Sequence, residues 1–203
     1  MPTPIYSIKN LYIKDEDKNI LSIKKFDFHR GTCYLLNGNM ASGKTTILDI
    51  LSRNKKAPKG EIQYESRRLT KYSFREYNKQ FAYVPQIFKA PWCTTVAKYL
   101  LKTVKQYSHN DNPVKRVDDI VKKMQIKDIL EEKMRSLTPG QLRWVVLAGN
   151  IAADTKVLFI DEIELHIGRS DINTLTRILY RKCNYDGVTV IATTQNKEYF
   201  AKL

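Results

Sequence analysis

Gly38-Asn39-Met40-Ala41-Ser42-Gly43-Lys44-Thr45 has the G-x-x-x-x-G-K-[ST] spacing of a phosphate-cradling loop. Upstream, Cys33-Tyr-Leu-Leu36 reads as a short buried strand; downstream, Ile47, Leu48, Ile50 and Leu51 recur at helical spacing. Strand, glycine loop and helix follow in the order that aims backbone N–H groups and a helix N-terminus at a polyphosphate. In such a loop Lys44 sets a positive charge on the β- and γ-phosphates, Thr45 offers its hydroxyl to Mg²⁺ and Thr46 adds a second hydroxyl nearby. Met40 and Ala41 are larger than glycine and are expected to stiffen the loop without blocking it. The chain is therefore expected to bind a nucleoside triphosphate together with Mg²⁺.

At 203 residues the chain is long enough for one sizeable core, or one domain carrying an inserted subdomain. No apolar run reaches the roughly 18 residues of a membrane-spanning helix, and the N-terminus lacks the order of a secretory signal, so a soluble chain is expected. The three cysteines, Cys33, Cys93 and Cys183, are scattered and odd in number, which disfavours a disulfide framework or a zinc site and fits a reducing compartment. A net charge of +14 would attract anionic lipid, nucleic acid or an acidic protein without choosing among them. The cations are dispersed, with no basic tail.

Strand-like alternation marks residues 5 to 12 and 20 to 28. Gly60-Glu-Ile-Gln-Tyr64 follows a turn, and Phe81-Ala-Tyr-Val84 is an apolar run stopped by Pro85; these segments are expected to form the sheet that brings Gln86 to a strand end. From Asp111 the period becomes helical, with Val117, Ile120, Val121 and Met124 on one face. Further helices are expected over 126–133 and 141–152, so residues 87–150 read as a mostly helical insert. Val157-Leu-Phe-Ile160 and Val188 to Thr193 are near-continuous apolar strands around a helix over 169–182, the pattern of a mostly parallel sheet covered on both faces.

The strand Val157–Ile160 runs directly into Asp161-Glu162, two carboxylates at the strand end where a parallel sheet presents its ligand crevice. Their jobs separate naturally: Asp161 holds Mg²⁺, directly or through water, and Glu162 polarises the water that attacks the γ-phosphate.

The order of phosphate loop, Val84-Pro85-Gln86, Leu137-Thr138-Pro139-Gly140-Gln141 and Val157 to Glu162 resembles an ATP-binding cassette (ABC) ATPase over nearly the whole chain. The resemblance implies an α/β fold: a P-loop NTPase (RecA-like) core with an ABC-type helical subdomain and a small antiparallel β subdomain. It divides one ABC ATPase domain into residues 1–86 and 151–203 (core and β subdomain) and 87–150 (helical subdomain). It implies that Gln86 contacts Mg²⁺ and the attacking water, and that Thr138, Gly140 and Gln141 stand for the signature with which one subunit clasps the γ-phosphate bound to its mate. A hydroxyl and glycine N–H groups at a helix N-terminus can do this, while Pro139 removes one donor. It also implies an aromatic contact to adenine, for which Tyr12 is the candidate, simple sheet packing being the alternative.

Two positions depart from the family pattern. Gly168 stands where the loop after Glu162 usually ends in aspartate, and Gln195 stands at the usual switch histidine. Gln195 can hydrogen-bond a γ-phosphate but cannot become cationic. Slow ATP turnover is expected in a homodimer, or a heterodimer whose other subunit supplies the better site. The resemblance implies an integral membrane transporter subunit as partner, and a peripheral place on the cytoplasmic face of a membrane or the equivalent face of an organelle inner membrane. The apolar stretch Ile87, Phe88, Ala90, Pro91, Trp92 and Val96 is a candidate surface for that partner. Two alternatives share the motifs: a regulatory cassette of cell-division type, and a DNA-associated ATPase of RecF or OLD type, suggested by Asp161-Glu-Ile-Glu-Leu-His166. Nucleic acid is not the expected partner.

Overall fold

A computed structural model describes residues 3–15, 18–39, 41–57, 59–107 and 112–200. In chain order the elements are β1 (Tyr6–Asp15), β2 (Lys18–Phe28), β3 (Cys33–Asn37), α1 (Lys44–Leu51), β4 (Lys59–Tyr64), β5 (Arg67–Arg68), α2 (Phe74–Tyr77) and β6 (Phe81–Val84). There follow α3 (Val96–Lys105), α4 (Pro113–Met124), α5 (Pro139–Ala152), β7 (Val157–Ile160), α6 (Arg169–Asn184) and β8 (Thr189–Thr194).

The strands form two sheets among the described residues, where the sequence reading placed the early strands and β6 together. The first is antiparallel with order β2-β1-β4-β5; the second is parallel with order β3-β8-β7-β6. The reason lies in which faces are buried. β1 buries Tyr6, Ile8, Leu11 and Ile13 and exposes Lys9, Asn10 and Tyr12, with a register shift between Lys9 and Tyr12, as a sheet covered on one face requires, whereas β7 is buried at every position.

The parallel sheet separates two cores, and strand alternation assigns each side chain. Phe81, Val157, Phe159 and Ile191 face the antiparallel sheet and α1; Ala82, Val84, Leu158, Ile160, Val190 and Ala192 face α3, α4, α5 and α6. In the first core Tyr77 donates to the Leu51 carbonyl at 2.5 Å and meets the Tyr6 hydroxyl at 2.5 Å, which fastens the end of α1 to the antiparallel layer. Burial pushes both phenols above their ordinary pKa, so they stay neutral donors.

Between β6 and β7 the chain is mostly helical, with one difference from expectation. Residues 126–133 form only a single 3₁₀ turn at Lys127–Ile129. Their carbonyls are engaged elsewhere: Val96 N–H donates to Glu132 O at 3.0 Å and Ala97 N–H to Leu130 O at 2.9 Å, capping two free donors of α3. The apolar stretch after Gln86 also divides. Val96 is fully buried and Phe88 and Ala90 pack against the core, while Ile87 and Trp92 stay 80% and 72% exposed.

Candidate functional site

Because all four strands of the second sheet are parallel, their C-terminal ends lie along one edge, and each delivers a segment there. The glycine loop follows β3, Gln86 follows β6, Asp161-Glu162 follow β7 and Gln195 follows β8. Together they line a cleft of about 360 Å³ formed by Ala41, Ser42, Gly43, Lys44, Thr45, Thr46, Gln86, Asp161, Glu162, Thr193 and Gln195. Met40 lies outside the described residues.

The loop is shaped by backbone conformation. Gly43 (φ 84°) and Ala41 (φ 60°) are both left-handed, the alternation that turns successive N–H groups inward as an anion nest. Ala41 bears this conformation with a Cβ, a strain of about 1–2 kcal/mol. A Cβ on Gly38 would stand 2.9 Å from Ser42 Oγ, so any larger residue there would have to displace the Ser42 hydroxyl. Lys44 folds into the same loop, with Nζ donating to Gly38 O at 2.6 Å, Asn39 O at 2.8 Å and Ser42 Oγ at 3.4 Å. A cation ringed by neutral oxygens, beside inward-facing N–H groups, fits a polyphosphate.

Asp161 is 1% exposed and accepts from two hydroxyls at one oxygen: Thr193 Oγ1 at 2.7 Å and Thr45 Oγ1 at 3.1 Å. The Thr193 hydroxyl in turn accepts from Glu162 N–H at 2.7 Å, so strand β8 holds both carboxylate residues in place. Glu162 is left-handed (φ 50°) and its Oε1 accepts from Gln195 Nε2 at 2.9 Å. The Asp161 carboxylate beside the Thr45 hydroxyl is an all-oxygen donor pair of the kind that fits Mg²⁺, which keeps waters and shares its ligands with substrate phosphates.

The Thr138–Gln141 turn does not line this cleft; Leu137 and Pro139 line a separate hollow that shares Gln86 with it. Thr138 caps α5: Gln141 N–H donates to Thr138 Oγ1 at 3.3 Å, and Thr138 N–H donates to Gln141 Oε1 at 3.0 Å, a reciprocal capping box with Pro139 at the first helical position. The missing N–H of Pro139 leaves no orphan there, since first-turn donors have no intrahelical partner. A Cβ on Gly140 would come within 3.0 Å of His166 O, which ties the turn to the loop following Glu162. Gln86 borders both this region and the cleft: Gln86, Leu137, Pro139, Arg143 and His166 line a neighbouring hollow of about 400 Å³. Tyr12 stands elsewhere, 39% exposed on β1 opposite Ser22 and Lys59, and does not line the Lys44 cleft.

Sequence reasoning missed three residues. Thr193 is one. Arg143 is the second: on α5, 5% exposed, it donates to Pro85 O at 2.6 Å, Asp161 O at 2.6 Å and Glu162 O at 2.8 Å. It thereby locks α5 to the residue before Gln86 and to the backbone of both carboxylates. Burial lowers its pKa to about 10, opposed by Asp161, Glu162 and Glu164, and it stays cationic at neutral pH. An arginine inside the apolar run Leu142 to Ala148 is the signal that was available. Glu164 is the third: it accepts from the turn that carries Gln195.

Comparison with known proteins agrees with this geometry. The ABC transporter family model matches residues 21–164. The chain is 22% identical over 195 residues to the cytochrome c biogenesis ATP-binding export protein CcmA of Rickettsia felis, covering 92% of this chain and 91% of that one. It is 26% identical over 199 residues to the energy-coupling factor transporter ATP-binding protein EcfA1 of Bacillus subtilis, covering 94% and 69%. Among solved structures, an ATP-binding subunit of an ABC transporter superimposes with a TM-score of 0.81 at 18% identity over 96% of this chain and 82% of that one. The protein cbiO1 of Clostridium perfringens, part of the ABC transporter complex cbiONQ, does so at 0.75 with 22% identity over 95% and 79%. At such identities the superpositions establish the fold. With the family matched across most of its length, this chain belongs to the ABC transporter family, among its ATP-binding, ATP-hydrolysing members.

Proposed function

We propose that two copies of this chain pair face to face, each closing its Thr138–Gln141 turn over ATP held in the other's glycine loop, and so power a membrane transporter. The observation that supports this is the shared border: Gln86 lines both the Lys44–Glu162 cleft and the hollow bounded by Leu137 and Pro139 of the turn.

In this reading Lys44, the loop N–H groups and the N-terminus of α1 bind the phosphates. Thr45, Asp161 and Gln86 would hold Mg²⁺, which would offset phosphate charge. Glu162 takes the proton of the attacking water, and Gln195 and Gln86 orient that water against the phosphate. Thr138 and Gly140 of the partner copy add donors to the same phosphate. Gln195 cannot supply a cation, so turnover is expected to fall below the median enzyme rate of about 10 per second. Tyr12 is retained only as a candidate for adenine.

No helix among the described residues is long and apolar enough to cross a membrane. In this reading the chain joins a membrane peripherally, on its cytoplasmic face or the equivalent face of an organelle inner membrane, by docking on an integral subunit. Exposed Ile87 and Trp92, the latter covered by the Arg135 guanidinium at 4.7 Å, mark an apolar docking surface beside Gln86. Detergent extraction tests this: the chain should co-purify with a multi-span membrane protein. Recovery of the chain alone, binding duplex DNA with steep salt dependence, would overturn it in favour of a DNA-associated role.

Lys44→Ala removes a charge-assisted contact worth about 1.5–3 kcal/mol, so ATP affinity should fall by roughly 10- to 100-fold. Fluorescent-nucleotide titration reads this directly, and unchanged affinity would contradict the assignment of the loop.

A further inference from the structure

We propose that Glu164 is a positioning residue for ATP hydrolysis, clamping the Thr194–Asn196 turn so that Gln195 is held against the Glu162 carboxylate. This rests on the reading of Glu162 as the base.

Three donors converge on one oxygen. Glu164 Oε1 accepts from Gln195 N–H at 2.6 Å, Thr194 Oγ1 at 3.0 Å and Asn196 N–H at 3.2 Å. Thr194 is the last residue of β8, and the Gln195 and Asn196 N–H groups follow just past the strand end, where Asn196 N–H also donates to Thr194 Oγ1 at 3.0 Å. A carboxylate accepts several donors at one oxygen more strongly than a neutral group does.

The turn is joined to Glu162 twice. Its backbone is held by Glu164, two residues after Glu162, and its Gln195 side chain donates to Glu162 Oε1 at 2.9 Å. The result is a closed ring: Glu162, the Gln195 amide, the Gln195 backbone, Glu164 and back along the chain. Within that ring Gln195 occupies one oxygen of Glu162, which leaves the other to accept a proton from water. Backbone bonds keep the stretch compact, with Ile163 N–H to Thr193 O at 2.9 Å and Leu165 N–H to Glu162 O at 3.0 Å.

The second oxygen, Glu164 Oε2, is buried and has no hydrogen-bond partner among the described residues, so the side chain is anchored through Oε1 alone. Glu164 is also one of the charges acting on buried Arg143, which connects the clamp to the signature helix.

Steady-state ATP hydrolysis by the full chain provides the test. Glu164→Ala should lower kcat by about 10- to 100-fold with KM for ATP within about threefold, because the phosphate loop is untouched while the reacting groups lose alignment. Glu164→Gln keeps an oxygen for the same donors and should recover most of the rate. In a Gln195→Ala background, adding Glu164→Ala should cost less than about twofold, since the clamp acts through Gln195. Should Glu164→Ala not fold, as read by circular dichroism, Glu164→Thr carries the same comparison.

The proposal is overturned if the truncated variant turns over within about twofold of wild type. It is equally overturned if the alanine and glutamine variants are equally slow, or if the loss persists undiminished without Gln195. A Glu162→Gln control separates the two layers. If that variant hydrolyses ATP at the wild-type rate, the reading of Glu162 has failed; if it is inactive while Glu164→Ala is normal, only the clamp has failed.

Discussion

Replacing Glu162 by glutamine is expected to lower kcat by about 10²- to 10⁴-fold while ATP affinity stays within about threefold. The amide keeps the size of the carboxylate and an oxygen to accept from Gln195 Nε2, now at 2.9 Å, so the fold of the site is preserved. What disappears is a group able to take a proton from water. Affinity is held by other parts of the cleft: Lys44 and the nest made by left-handed Ala41 and Gly43 lie across from Glu162 and do not depend on its charge. A single-turnover experiment with radiolabelled ATP separates the two quantities. A rate near wild type would remove Glu162 from the chemistry, leaving the carboxylate of Asp161 as the remaining acid in the cleft.

The Arg143→Met variant is expected to lose about 3–5 kcal/mol of stability. Methionine fills much of the volume but returns nothing to the carbonyls of Pro85, Asp161 and Glu162, each of which accepts from the guanidinium at 2.6–2.8 Å. Buried acceptors left without a donor cost about 1–3 kcal/mol apiece, with part of the deficit recovered by relaxation. For a chain of this size such a loss lowers Tm by roughly 6–20 °C. Arg143→Lys should restore little, because a single ammonium cannot reproduce the planar fork that serves three carbonyls. Thermal melting followed by circular dichroism decides it. A Tm within about 2 °C of wild type would show that these bonds are replaced by water at no cost.

The parts of the site that could be read from sequence are those whose chemistry is local. Gly38 to Thr45 is one turn, and Asp161-Glu162 are adjacent; their spacing along the chain is their spacing in space. Thr138 as helix cap was legible for the same reason, and Gln141 three residues later completes a capping box that the sequence also displays. Thr193, Arg143 and Glu164 were not legible, because each acts across separations that only the folded sheet closes: Thr193 lies 32 positions from Asp161, Arg143 58 from Pro85, and Glu164 31 from Gln195.

The fold shows the same division. The buried run Val157–Ile160 announced a strand covered on both faces, and Val117 to Met124 announced a helix. The stretch 126–133 misled, since Ile126, Ile129 and Leu130 have helical spacing while the neighbouring carbonyls are drawn to the free end of α3. Tertiary hydrogen bonding overrode a local pattern too short to resist it.

The central claim is that ATP is held between two copies of this chain, and the mass of the Glu162→Gln variant in solution measures it most directly. Light scattering at saturating ATP and Mg²⁺ should give twice the single-chain mass, reverting to the single-chain mass when nucleotide is removed. A variant that binds ATP yet keeps the single-chain mass throughout would contradict the account.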